Sequence, residues 1–209
     1  MRTLALSVAV LALLAGPAFA QSQPFGSQTF ELPPGFEPEA GAEEPAAPPA
    51  PPTAEELLED LAVAESAEEA HDLEERLHTL WSRSGSATVD LLLTRSRVAL
   101  DEDEDAIAEE LLAEVTELAP EFAEGWHQHA VISIRRENFE DAMTSLQQTL
   151  ALNPKHYIAI AELGQILEEF GDEDKALQAY REALAINPYI EGLSERVESL
   201  TRSVEGQGI

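Results

Sequence analysis

The chain has 209 residues, with 41 acidic against 12 basic side chains, a formal net charge of −29, and no cysteine. That balance excludes the phosphate neutralisation on which nucleic-acid binding depends, and it disfavours anionic membrane surfaces, which recruit polybasic segments. Without cysteine there are no disulfides, thiolate nucleophiles or cysteine-based metal sites.

Residues 1–20 have the layout of a signal peptide. Arg2 provides a positive start, Leu4 to Ala15 is an apolar run, and Ala18-Phe19-Ala20 is a small-x-small cleavage pattern. The run is shorter than the ~20 residues that a spanning helix requires. Cleavage after Ala20 predicts an exported, periplasmic chain with no transmembrane segment. An extracellular chain, or one anchored by an uncleaved signal, is the alternative. Residues 21–53 hold nine of the thirteen prolines, five glutamates and no Lys or Arg. Such a segment cannot bury a core, and it reads as a disordered, acidic, Pro-rich linker.

Helical patterning begins after Thr53, a capping residue ahead of Leu57, Leu58 and Leu61. Ser66 and Glu69 have capping-box spacing and open a second helix carrying Leu73, Leu77, Leu80 and Trp81. "SRSGSATVD" then breaks the pattern at Gly85. Residues 54–88 are therefore expected to be a helical pair covering the front of the downstream helices, as a degenerate repeat or N-terminal cap.

Beyond it, Pro120, Pro154 and Pro188 are spaced 34 residues apart. A fixed period of this size marks a repeat architecture. It divides the chain into units 89–122, 123–156 and 157–190. The third unit, "YIAIAELGQILEEFGDEDKALQAYREALAINPYI", has Ile160, Leu163-Gly164, Leu167, Ala176, Tyr180 and Pro188 in the order of a tetratricopeptide repeat (TPR), which it resembles. The second matches through Trp126, Ala130, Ala142, Leu146 and Pro154. The first is degenerate, keeping Leu92, Ala108, Leu112 and Pro120, with Arg95-Ser96 in place of Leu-Gly. That departure predicts a splayed or specially packed pair.

The resemblance implies an all-α superhelix of about three repeats with flanking capping helices. Leu193, Val197 and Leu200 predict a C-terminal capping helix over 191–203, with a frayed tail at 204–209.

"EGWHQHAVISIRREN" (124–138) concentrates the groups that look most like chemistry. His127 and His129 are at i, i+2, about 200° apart around a helix, so they cannot chelate one ion together. His129 occupies a packing position, whereas His127 points to the concave side. Asp101, Asp103 and Asp105 alternate as in a calcium loop, but Ala106 and Leu112 stand where that loop needs glycine and glutamate. A solvated turn is expected there. Catalytic, metal and cofactor sites are all read as none, since no nucleophile elbow, phosphate loop or HExxH is present.

In the TPR family the first helix of each repeat lines the groove. The resemblance thus implies a protein-binding surface of Leu93, Arg97, Leu100, His127, Val131, Ile134, Arg135, Ile158 and Gln165. One TPR subclass grips a peptide carboxylate with Lys and Asn, and both are missing at the matching positions here. A helix or extended segment in the groove is the expected mode. The layout and "LHTLWSRSGSATVDLLL" resemble small exported TPR proteins of Gram-negative bacteria, which implies an envelope adaptor or assembly factor with a protein or peptide partner. A self-associating structural protein (a homo-oligomer) is the alternative, and an enzyme or metal-binding role is the least favoured.

Overall fold

The computed structural model describes residues 50–206, so the leader and most of the Pro-rich linker lie outside the described residues. Within them the chain is all α. The helices are α1 (Ala54–Ala62), α2 (Ala67–Trp81), α3 (Ala87–Asp101), α4 (Asp105–Leu118), α5 (Ala123–Arg135), α6 (Phe139–Leu152), α7 (Tyr157–Glu169), α8 (Glu173–Ile186) and α9 (Leu193–Gly206).

Helices α3 to α8 form three antiparallel pairs stacked in order, with α4 against α5 and α6 against α7. The pairs bury their apolar stripes on each other because none can do so alone. In the third pair, a Cβ at Gly164 would lie 2.6 Å from the Tyr180 ring, so glycine is what lets α7 and α8 approach. Ser96 holds the equivalent position in the first pair. It is fully buried and its hydroxyl donates to the Leu93 carbonyl at 2.8 Å. A small side chain there keeps α3 on α4, and the predicted splaying does not occur.

Each pair turns through one left-handed residue at the same register position: Asp103 (φ 60), Glu137 (φ 58) and Gly171 (φ 79). The next residue's N–H reaches back to a carbonyl in the helix just ended, as in Glu104 to Ala99, Asn138 to Ser133 and Asp172 to Leu167, all at 2.8 Å. These are Schellman-type closures, which satisfy carbonyls left open at a helix end.

The N-terminal pair departs from expectation. Thr53 and Glu56 form a reciprocal capping box on α1, and Ser66 caps α2. However, the α1–α2 hairpin does not cover the front of the stack; α1 packs against α8. Leu57, Leu61, Leu73 and Leu77 are buried with Tyr157, beside Ile186 and Ile190 of the third repeat. Fully burying one such leucine is worth about 1.5–3 kcal/mol, so the stripe on α1 and α2 outweighs their lack of repeat character. The hairpin runs back across the first helices of the repeats. At its far end the Arg97 guanidinium of α3 donates to the Ser82 hydroxyl at 3.1 Å.

At the other end α9 packs on α8 through Leu193 and Leu200, with Val197 partly buried. The helix continues to Gly206, past Ser203 where the sequence pattern placed its end.

Candidate functional site

Two features sit where α2 crosses the repeats. The first is a buried polar cluster. Glu124 and His127 are three residues apart on α5 and so share one face. His156 precedes α7, and its Nδ1 accepts the Ala159 N–H at 3.2 Å as the N-cap of that helix. Stacking α7 on α5 brings the three together, with exposures of 3% for Glu124, 5% for His127 and 1% for His156.

The contacts are specific. Glu124 Oε1 accepts from Arg97 at 3.1 Å and from Gln128 at 2.8 Å. Glu124 Oε2 lies 3.4 Å from His156 Nε2 and 3.6 Å from His127 Nδ1, the second distance being too long for a hydrogen bond. His127 Nε2 meets Glu162 Oε2 at 3.1 Å. With Nδ1 of His156 accepting, its proton sits on Nε2, facing Glu124.

Burial opposes charge on every member, but the ion pairs decide two of them. Burial alone would raise the Glu124 carboxyl, yet His127 and His156 hold it below the usual carboxylate range. Burial opposes the His127 imidazolium, yet Glu124 and Glu162 push that ring up to about 10. His156 is lowered, first by burial and then by the neighbouring His127 charge, against the pull of Glu124. His127 thus lies between the carboxylates of Glu124 and Glu162, with His156 beside it.

The second feature is a cavity of about 790 Å³ above that cluster. Its α2 wall carries His71, Glu74, Glu75 and His78; opposite lie Ile158, Tyr189 and Ile190. Ile158 also borders an adjoining hollow of about 350 Å³ with Gln165 and Arg196.

The family description for the tetratricopeptide repeat matches residues 128–189. A TPR repeat-containing protein of Rhizobium etli is 27% identical over 152 residues, covering 73% of this chain and 74% of its own. The first TPR of Spaghetti (RPAP3), solved bound to the HSP90 peptide SRMEEVD, superposes with a TM-score of 0.54 at 14% identity, covering 57% of this chain and 95% of that one. The Sgt2 TPR domain from Aspergillus fumigatus gives 0.54 at 19%, covering 59% and 83%. With the helix pairs, register and turns already in place, these matches agree with the repeat. The chain carries tetratricopeptide repeats and has the TPR fold.

The TPR protein distributes its predicted groove residues unevenly. Ile158 and Gln165 are exposed in the hollows, and Val131 is half-buried. Leu93 is 1% exposed in the core of the first repeat, with Leu100 packed beside it. Ile134 packs against the core between the second and third repeats. Arg97 is committed to Glu124 and Ser82. Arg135 pairs with Asp103 and with Asp105 at 2.8 Å, so the acidic turn is closed by an arginine. His127 lies at the floor of the cavity, where burial among Glu124, Glu162 and His156 withdraws it from direct contact with a partner. His129 is half-buried, with its Nδ1 2.8 Å from the Ser145 hydroxyl.

Sequence reading missed Trp81, Glu124, Glu162 and His156 as site residues of this TPR protein. The Glu124–His127 spacing was a local signal. Nothing local linked either residue to His156 or to α2. Among the described residues, no helix is long and apolar enough to cross a membrane.

Proposed function

We propose that this TPR protein is a non-enzymatic adaptor or assembly factor of the cell envelope that holds a segment of another protein on its concave face. The observation that carries the reading is the cavity between α2 and the first helices of the second and third repeats. Ile158 and Tyr189, 36% and 37% exposed, supply apolar contact, while Glu74, Glu75 and Glu191 line the same walls. Such a site fits an amphipathic segment with basic side chains. An acidic peptide such as the SRMEEVD bound by the Spaghetti domain meets like charge here. The envelope address rests on the leader pattern of residues 1–20.

The test is a photocrosslinking residue at position 158 in cells, with position 178 on the outer helix α8 as control. Capture at 158 alone, lost in Ile158→Asp with the crosslinker moved to position 189, supports the reading. Equal capture at both positions overturns it. For the address, residues 1–53 fused to alkaline phosphatase should give active enzyme outside the cytoplasm; an inactive, uncleaved fusion counts against export.

Self-association is favoured by a separate observation. Because α1–α2 leaves the front of the stack uncovered, Leu91 and Val98 of α3 are 55% and 50% exposed, with Ile107 of α4 at 47%. Light scattering that shows a dimer converted to monomer by Leu91→Glu and Val98→Glu supports this reading. A wild-type monomer at all concentrations removes it.

A further inference from the structure

The groups on the floor of the cavity have the composition of a metal-ligand set. Glu124, His127 and His156 each offer one ligand atom, and these atoms lie within 4.8 Å of one another. His127 Nδ1 is buried and has no hydrogen-bond partner. A buried polar atom of that kind calls for a ligand or an explanation. It is aimed at the space it shares with Glu124 Oε2.

The supporting residues are arranged as they are around bound metals. A ligating histidine characteristically gives its second N–H to a carboxylate, and ligating carboxylates are themselves held by donors. His127 Nε2 faces the Glu162 carboxylate at 3.1 Å. Arg97 and Gln128 occupy Glu124 Oε1, so Oε2 faces the two imidazoles. The His156 ring is fixed by its stack on Trp81.

We propose that Glu124 Oε2, His127 Nδ1 and His156 Nε2 bind a divalent transition metal of the zinc type, with a water from the cavity as fourth ligand. Two imidazoles and one carboxylate suit zinc, whereas magnesium and calcium take oxygen ligands. With both histidines neutral, Glu124 and Glu162 outweigh Arg97 by one negative charge, which favours a cation. The ion takes the place of the proton on His127. At His156, metal on Nε2 moves the ring proton to Nδ1, so the Ala159 N–H loses its acceptor. The capping bond and the His156–Glu124 contact are thus exchanged for three ligand bonds. The 790 Å³ cavity reaches all three residues and gives the ion a way in.

The experiment uses the full chain, stripped with chelator and titrated with zinc by calorimetry and with cobalt(II) by visible absorption. One equivalent should bind, with a rise in thermal stability. His127→Gln should abolish stoichiometric binding, and Glu162→Gln should weaken it about 10–100-fold. His129→Gln, whose ring faces Ser145 away from the cluster, should leave binding unchanged. Absence of stoichiometric binding, its survival in His127→Gln, or its loss in His129→Gln overturns the proposal. Should His127→Gln fail to fold, X-ray absorption on the zinc-loaded wild type decides. Two imidazole nitrogens at about 2.0–2.1 Å support the site, and a shell of oxygen alone overturns it.

Discussion

The indole of Trp81 lies over the imidazole of His156, ring centroids 4.6 Å apart and planes 21° from parallel. Trp81 is the last residue of α2 and His156 caps α7, so this stack joins the N-terminal hairpin to the start of the third repeat. The same ring of His156 faces Glu124 through Nε2. One aromatic contact therefore fixes both the hairpin and the histidine.

Replacing Trp81 with alanine removes the stack and leaves His156 with a wetter face. Loss of about 2–3 kcal/mol is expected, below the full cost of a buried aromatic because Trp81 is only half-buried. Urea denaturation measures it. Hydrogen exchange should show α1 and α2 opening at lower free energy than α5 to α8; uniform exchange across all helices would contradict the role given to this contact.

Arg97 donates to a carboxylate that is 3% exposed, while its own side chain is 31% exposed. Truncating a partner of a buried charge costs about 3–5 kcal/mol when both are enclosed, and solvent at Arg97 reduces this to about 1–2 kcal/mol for Arg97→Ala. In Glu124→Gln the same substitution should cost markedly less. A double-mutant cycle with no coupling would remove the ion pair from the account.

Glu137 sits at φ 58 where the third repeat has Gly171 at φ 79. A side chain in that region is strained, and glycine carries no such penalty. Glu137→Gly is expected to stabilise by about 0.5–1 kcal/mol after the greater unfolded-state entropy of glycine is counted. The midpoint of thermal unfolding should rise, and a fall would show that the glutamate makes a compensating contact.

At Gly164 the direction reverses. An added Cβ would stand 2.6 Å from the Tyr180 ring and 3.3 Å from Ala179 Cβ. Tyr180 is itself tied to Glu168 at 3.0 Å and cannot swing freely. Gly164→Ala should destabilise by about 1–3 kcal/mol, the usual cost of overpacking. Gly85→Ala, with open space around it, should cost only its backbone strain at φ 81. Equal losses at the two sites would mean that packing is not what Gly164 provides.

What the sequence determined by itself was everything that repeats. The 34-residue spacing of Pro120, Pro154 and Pro188 sets the unit, because each proline comes after a helix that must end at the same place. Gly164, Ala130 and Ala142 mark where helices touch, because only small side chains fit there. Capping at Thr53 and Ser66 was legible because a cap bonds to its own helix a few residues away. The tertiary structure decided what long-range packing controls. It laid α1–α2 across the repeats instead of at their front, because the hairpin buries its leucines against Tyr157, Ile186 and Ile190. It also set His156 beside Glu124 and His127, which no helical periodicity on α5 could reveal, since His156 reaches them from the start of α7. Local spacing could exclude His127 with His129, but only the stacked fold could supply the histidine that His127 meets.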